Sequence, residues 1–409
     1  MNLILLLAWR NLWRHKRRTW LTVGAMIFSN ILLVFMISLQ FGTYEMMIQN
    51  TLQAFTGYIQ VQHKHYNEDP KIRFSIPDIT DLTQQIRTTL GTDKISARAS
   101  TFVLASSKER SFGIQIVGVQ PETEGNVSTL PGLIKQGRYL QPDDTEKVVI
   151  GKVMANNLKV GVGDEITLLG SGRDGSFAAG IVTVAGIFES GLIDLDRGMA
   201  EIPLPYFQQL FAMDNSGHAI VVDAPDLFVV NTWQKKIQQD IKNKSDLVVL
   251  NWMELQPGLL QAIQADMSSA WFMYGIFIIL VAFSVLNTQL MSVLERTREF
   301  GINLALGLKP GKLSRLILLE TALMALLGLL IGCFIGYLIT LYFQHYGFTY
   351  PGMEEMAVKF NLPPRMYPSI SWISVLFGPA VVCIFSMLAA VYPALRVYFL
   401  RPVNAMRAV

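Results

Sequence analysis

Charge is what this chain has least of. Asp, Glu, Lys and Arg make up 16% of its 409 residues, against about 25% in a typical soluble domain. Cysteine is nearly absent too. The two present, Cys333 and Cys383, both lie in long apolar runs, so a disulfide scaffold is excluded. A formal net charge of +3 gives no bulk positive field for nucleic acid. Catalytic signatures are missing as well: no His-Glu-x-x-His, no Gly-x-Ser-x-Gly, and no cysteine outside the apolar runs. The chain of acids and histidines that a proton-driven pump needs across its apolar runs is also absent. What is abundant is hydrophobic residues, at 51%, and the mean hydropathy of +0.36 points to membrane.

Four apolar runs reach the length of about 20 residues that crosses a hydrocarbon core. They are read as spans at 19–42, 267–294, 315–343 and 370–395. The third is broken only by Glu320 near its start. Between the first two lies an insert, 43–266, with 19 Lys/Arg against 26 Asp/Glu, while the rest of the chain has 15 against 5. A mildly acidic, soluble-looking block therefore sits between basic, apolar flanks. Residues 295–314, 344–369 and 396–409 form the remaining connections and tail.

Short basic flanks mark the cytoplasmic side. Arg10, Arg14, Lys16, Arg17 and Arg18 precede the first span with no acid among them. Arg296, Arg298, Lys309, Lys312 and Arg315 separate spans two and three, and Arg396, Arg401 and Arg407 follow span four. The connection between spans three and four has only Lys359 and Arg365, against Glu354 and Glu355. Both termini and the middle loop are thus expected in the cytoplasm, and the insert on the far side. The first run exceeds the about 7–15 residues of a signal-peptide core and is read as a retained anchor.

Within residues 1–18, Leu3–Arg18 is expected to be an amphipathic helix on the membrane surface. Arg10, Arg14 and Arg17 share one face, and Leu5, Trp9, Leu12 and Trp13 another. Trp at headgroup level and Arg toward anionic lipid suit an interfacial helix, and the same arginines serve as a topology signal.

The insert reads as α+β. Strand-like runs are Tyr58–Gln62, Gly113–Val119, Lys147–Ile150, Glu165–Leu169, Ile181–Phe188 and Ala219–Val222. Helix-like runs are Ile79–Leu90, Gly151–Leu158, Tyr206–Phe211 and Leu227–Ser245. The Gly-rich stretch 121–202 is expected to be an inserted subdomain. Several apparent motifs fail on their chemistry. Gly307–Leu313 has three residues between its glycines and Leu313 after the lysine, where a phosphate loop needs four and a Ser or Thr. Gly170-x-Gly172-x-x-Gly175 precedes a β-branched run rather than a helix, so a hairpin turn is expected. His63 and His65 lack partners for a metal, and Glu189, Asp194, Asp196 and Glu201 lack calcium-loop spacing.

Three features remain. Gly328, Gly332 and Gly336 recur every four residues in span three and predict a close helix–helix contact. Glu320, an acid inside that span, is expected to pair with Arg296 or Arg298. The loop Glu295-Arg296-Thr297-Arg298-Glu299-Phe300-Gly301-Ile302-Asn303-Leu304-Ala305-Leu306-Gly307 reads as a short amphipathic helix ended by Gly307. Its apolar face is expected to be Phe300, Leu304 and Leu308, with Arg296, Arg298 and Glu299 near the surface and a close turn at Gly301.

That loop, followed by a Glu in the next span, resembles the FtsX-like permease family, which includes MacB-type exporters and LolC/LolE lipoprotein-releasing permeases, the type VII ABC transporters. The order of one span, a large insert and three spans is similar throughout, as is the ending Tyr392-Pro393-Ala394 … Pro402-Val403-Asn404-Ala405. In the insert, Gly118-Val119, Gly137-Arg138, Val149-Ile150-Gly151, Gly163-Asp164 and Gly186-Ile187-Phe188 resemble the two-part MacB-like periplasmic domain, called Porter and Sabre.

The resemblance implies a permease that does no covalent chemistry, binds no cofactor or metal itself, and works in a bacterial inner membrane. Two copies of a separate ATPase subunit would bring ATP and magnesium. The coupling residues would be Glu295, Arg296, Arg298, Glu299, Phe300, Gly301, Ala305 and Gly307, with apolar residues filling a cleft on the ATPase. A second permease copy or paralogue, membrane lipid and a periplasmic carrier or adaptor are the other implied partners, and nucleic acid is not. The implied cargo is lipoprotein, lipid or another amphiphile. The alternatives are a scaffold that passes ATPase motion to periplasmic enzymes, and a MacB-like drug or peptide exporter. The chain lacks the ATPase domain fused to MacB, and its insert is larger than that of FtsX itself, which favours the LolC/LolE-like side.

Overall fold

The computed structural model describes residues 3–14, 16–353 and 365–400. The chain divides into a membrane unit, built from Met1–Met46, Ile263–Met353 and the last helix, and an insert unit, Met47–Ala262. The ending from Pro402 to Ala405 and the charges Glu354, Glu355, Lys359, Arg401 and Arg407 lie outside the described residues.

In chain order the helices are α1 (Leu3–Arg14), α2 (Lys16–Thr51), α3 (Ile79–Leu90), α4 (Pro121–Glu124), α5 (Lys152–Leu158), α6 (Ile193–Gly198) and α7 (Leu204–Leu210), then α8 (Leu227–Asp240), α9 (Trp252–Leu255), α10 (Pro257–Glu295), α11 (Thr297–Ala305), α12 (Pro310–Tyr346) and α13 (Trp372–Tyr398). Four of these, α2, α10, α12 and α13, are long and apolar enough to cross a membrane. At 1.5 Å per residue, the 36, 39 and 37 residues of α2, α10 and α12 outrun a hydrocarbon core of about 30 Å. The first helix is shorter than the expected Leu3–Arg18: Lys16, Arg17 and Arg18 already belong to α2.

Glycines set the packing of α12 on α2. A methyl group added at Gly328 would sit 2.7 Å from Met26 Cβ, and one at Gly332 2.6 Å from Asn30 Cβ. At Gly336 it would meet Val34 Cβ at 3.1 Å. Met26, Asn30 and Val34 share the same four-residue repeat, so two stripes face each other with no room for side chains on the α12 side. The Asn30 amide uses this closeness to donate to the Gly328 carbonyl at 3.1 Å. Toward the other end of α2, a polar clasp joins it to α10. The Tyr44 hydroxyl donates to Asp266 at 2.6 Å, and the Tyr274 hydroxyl donates to Gln40 at 2.7 Å.

The insert is built on one mixed sheet of ten strands: β1 (Ile59–His63), β2 (Ile95–Ser106), β3 (Ser111–Val119), β4 (Ile134–Gly137), β5 (Lys147–Gly151), β6 (Glu165–Ser171), β7 (Phe177–Phe188), β8 (Met199–Pro203), β9 (Ala219–Val222) and β10 (Leu247–Asn251). The order is β10-β1-β9-β2-β3-β8-β5-β7-β4, with β6 pairing β2 and β7. β3/β8 and β5/β7 are parallel. The stretch 121–202 therefore adds its strands to this same sheet. One core of Val117, Val119, Leu130, Val149, Phe188 and Met199 lies where β3, β8 and β5 meet.

Beside that core sits a buried polar cluster. The Arg98 guanidinium donates to both oxygens of Glu124 and to the Phe55 carbonyl, and lies 4.3 Å over the Phe55 ring. Glu201, fully enclosed on β8, accepts the Tyr139 hydroxyl at 2.7 Å on one oxygen. Its other oxygen has no partner. Burial first, and the nearby Glu124 second, push the Glu201 carboxyl up to about 8.

Candidate coupling site at the arginine-rich end of the membrane unit

Ion pairs gather the ends of five helices in the membrane unit. Arg296 follows the last residue of α10 and caps α11. Its Nη1 donates to Glu320 Oε1 at 3.1 Å and Oε2 at 3.2 Å, and both side chains are buried. Asn11 of α1 donates to Glu320 Oε1 at 2.7 Å. The Glu320 carboxylate is thus held by two neighbouring helices, which is how an acid inside a span avoids an uncompensated charge. Glu299 of α11 lies 3.1 Å from Arg14 of α1, and Glu295 lies 3.5 Å from Arg18 of α2. The Arg296 Nε contact to Glu299, at 3.5 Å, is an ion pair longer than a hydrogen bond.

A second, apolar lock lies beneath. Phe300 is 1% exposed and packs with Val293, Leu313, Ile317, Ala394 and Val397. The Arg296 guanidinium lies 5.0 Å over its ring. α11 then ends in a Schellman turn. Gly307 N–H reaches the Leu304 carbonyl at 3.0 Å, Leu308 N–H reaches Asn303 at 3.0 Å, and Gly307 takes φ +93°. That positive φ favours glycine, and Pro310 starts α12 three residues later.

What α11 and the turn after it leave uncovered is Ile302 at 47%, Leu306 at 81% and Leu308 at 41% exposure. An exposed apolar edge, fixed to the spans by an ion-pair network and a buried ring, is a rigid element with an unpartnered face.

Two family models match the chain. The MacB-like periplasmic core domain covers residues 19–252, and the FtsX-like permease C-terminal domain covers 271–402. The chain belongs to the FtsX-like, MacB-type ABC transporter permeases. The permease is 25% identical over 317 residues to the lipoprotein-releasing system transmembrane protein LolC of Xylella fastidiosa, covering 73% of this chain and 74% of that one. It is 23% identical over 331 residues to LolE of Haemophilus influenzae, covering 76% of each. The extracellular domain of the transporter YknZ from Gram-positive bacteria aligns with 48% of this chain and 100% of its own, at 16% identity and a TM-score of 0.36.

Several expectations for the permease need correction. Phe300 does not present itself to a partner, because its ring fills the permease's own core. Gly301 is buried inside α11 rather than in a turn. Leu304 is partly buried against the same core, so of the expected apolar face only Leu308 is exposed. Arg296 is buried rather than near the surface, and Arg298 is exposed and leaves Glu320 to Arg296. Leu12 does not share the exposed face of Trp9 and Trp13; it packs against Val23 and Met324. Ala305 and Gly307 are exposed, as are Arg10, Arg14 and Arg17.

Asn11 and Arg18 were not among the sequence candidates. A signal for Asn11 exists: Ala8, Asn11 and Leu12, at i, i+3 and i+4, mark the face α1 turns inward. Of the rejected motifs, Gly170–Gly175 forms the β6/β7 hairpin, with Ser171 paired to Phe177. His63 stacks on Phe74. Glu189 pairs with Lys152 at 2.7 Å, and Asp196 accepts from Ser190.

Proposed function

We propose that this chain is the permease half of an ABC transporter in which a separate ATPase subunit docks on the exposed edge of α11. In this reading Ile302, Leu306 and Leu308 enter the ATPase cleft, and Arg298 and Lys309 flank them. The single observation that carries it is the division of labour around α11, with Phe300 and the preceding Arg296 locked inward and Leu306, in the turn that follows, left bare. Ile302, Leu306 and Leu308 together leave an apolar patch bare on the turn side of α11, the kind of patch that marks an interaction surface. ATP and magnesium belong to the partner, and the chain serves as a transmitter of motion rather than an enzyme.

The arginine-rich end faces the cytoplasm and the insert faces the periplasm, following the Lys/Arg flanks. The long α2 and α10 carry the stroke, since each continues unbroken past its apolar stretch. The cargo is lipoprotein, lipid or another amphiphile passed toward the periplasm or outer membrane, a reading supported by the similarity to LolC and LolE. Reconstitution with the ATPase tests it. Hydrolysis stimulated by a triacylated lipoprotein supports lipoprotein release. Stimulation by a macrolide or a peptide alone identifies an exporter, and activation of peptidoglycan hydrolysis without cargo movement identifies a scaffold.

A further inference from the structure

A cavity in the membrane unit lies beside the coupling site and shares Arg14, Arg18 and Glu295 with its ion-pair network. It measures about 790 Å3 and opens between the start of α2 and the end of α10. Its mouth is basic, with Arg14, Lys16, Arg17 and Arg18 against the single carboxylate Glu295. Arg14 and Arg18 are already engaged with Glu299 and Glu295. Among the described residues, no ion pair is formed by Lys16 or Arg17, so two cations stand over the cavity without a counter-charge.

The walls change character with depth. One turn further along α2 is Leu21, and one turn back along α10 is Met291, both largely exposed. Beyond Met291 come Asn287 and Thr288. The Thr288 hydroxyl is used by the Ser284 carbonyl at 2.8 Å, but the Asn287 amide is exposed on the outer face of a span. An amide directed at hydrocarbon is costly unless something polar meets it. The level is marked by tryptophan. Trp9, Trp13 and Trp20 form an edge-to-face ladder with centroids 5.9 and 6.5 Å apart, and exposed Trp collects at the headgroup layer.

We propose that this cavity binds the phosphate-bearing headgroup of an anionic phospholipid. Lys16 and Arg17 take the phosphate, Asn287 meets the glycerol-ester region, and Leu21 and Met291 flank the first acyl carbons. A free phosphate would use the mouth alone and leave the apolar walls and Asn287 idle. The assignment is independent of ATPase coupling. It gives the ion pairs Arg14–Glu299 and Arg18–Glu295 a lipid neighbour whose charge they share.

The test uses the full chain in phosphatidylcholine nanodiscs doped with phosphatidylglycerol, with retained lipid counted by native mass spectrometry. The wild type should hold phosphatidylglycerol over phosphatidylcholine by about thirtyfold, the scale of two surface cations. Lys16→Gln combined with Arg17→Gln should abolish that preference. Arg17→Lys should keep it, which separates lost charge from lost folding. Asn287→Leu should lower retention with Lys16 and Arg17 intact. Equal retention by the double variant, no preference in the wild type, or displacement of phosphatidylglycerol by millimolar inorganic phosphate would each overturn the lipid assignment.

Discussion

Arg296 and Glu320 lie 3.1 Å apart with both side chains buried, and they join the end of α10 to the third turn of α12. Removing one member of such a pair leaves a charge without compensation, at a cost of about 3–5 kcal/mol, while replacing both by apolar residues is often neutral. Glu320→Ala is therefore expected to destabilise the detergent-solubilised permease strongly. Arg296→Met combined with Glu320→Leu should recover most of the loss. Thermal unfolding followed by intrinsic fluorescence reads both. An additive double variant would show that the pair is not coupled.

The glycine stripe gives a graded test. At Gly332 even one methyl would sit 2.6 Å from Asn30 Cβ, whereas at Gly24 and Gly275 nothing lies within 4 Å. Gly332→Ala should lower thermal stability, by about 1–3 kcal/mol for an overpacked contact, and Gly332→Leu by more. Gly24→Ala and Gly275→Ala should be tolerated, each favoured by helix propensity. Equal behaviour at all three positions would mean that α12 does not pack on α2 through this face.

In the insert, Glu201 supplies a pH dependence. Its carboxyl is pushed up to about 8 in the folded chain, from the ordinary value of 4.5. Between those two values the folded chain holds a proton that the unfolded chain has released. Stability thus falls as pH rises through this window, approaching about 1.4 kcal/mol per pH unit for one proton. Hydrogen exchange at β8 and β5 in the full chain should quicken from pH 5 to 8 beyond its intrinsic base dependence. Glu201→Gln should remove the excess. A Gln variant with unchanged pH dependence would place the titration elsewhere.

Topology is open to thiol labelling, since the two native cysteines lie in spans and Cys333 is buried. A cysteine replacing Ser171 in the β6/β7 hairpin should react with an impermeant reagent added outside the cell. One replacing Lys312 should react only after permeabilisation. The reverse pattern would invert the orientation taken from the Lys/Arg flanks.

How much was legible beforehand depended on whether a residue's surroundings are local. The four spans, the Schellman glycine and six strands announce themselves through length, φ preference and β-branching. β2, the longest central strand alongside β7, was missed. Ile95–Ser106 is rich in Ala and Ser and shows no clean alternation, because its first five residues are buried on both faces. The partner of Glu320 was anticipated, but Asn11, 309 positions away, was not. The face of α11 was misread for the same reason. Helical spacing places Phe300 and Leu304 together, yet cannot say whether that face turns to α12 and α13 or to a partner.

The most direct test of the account contrasts a side chain inside α11 with one in the turn that ends it. Phe300→Ala removes a buried ring and should cost the permease about 3–5 kcal/mol of its own stability. Leu306→Asp changes a side chain that is 81% exposed, so it should leave permease stability unchanged while costing more than 1 kcal/mol of ATPase binding, as a central interface residue does. The measurement is co-purification of the ATPase with each variant, beside the variant's melting temperature. A stable Leu306→Asp permease that no longer retains its ATPase is the predicted result. A Leu306→Asp permease that keeps the ATPase and couples hydrolysis to transport would contradict docking on α11.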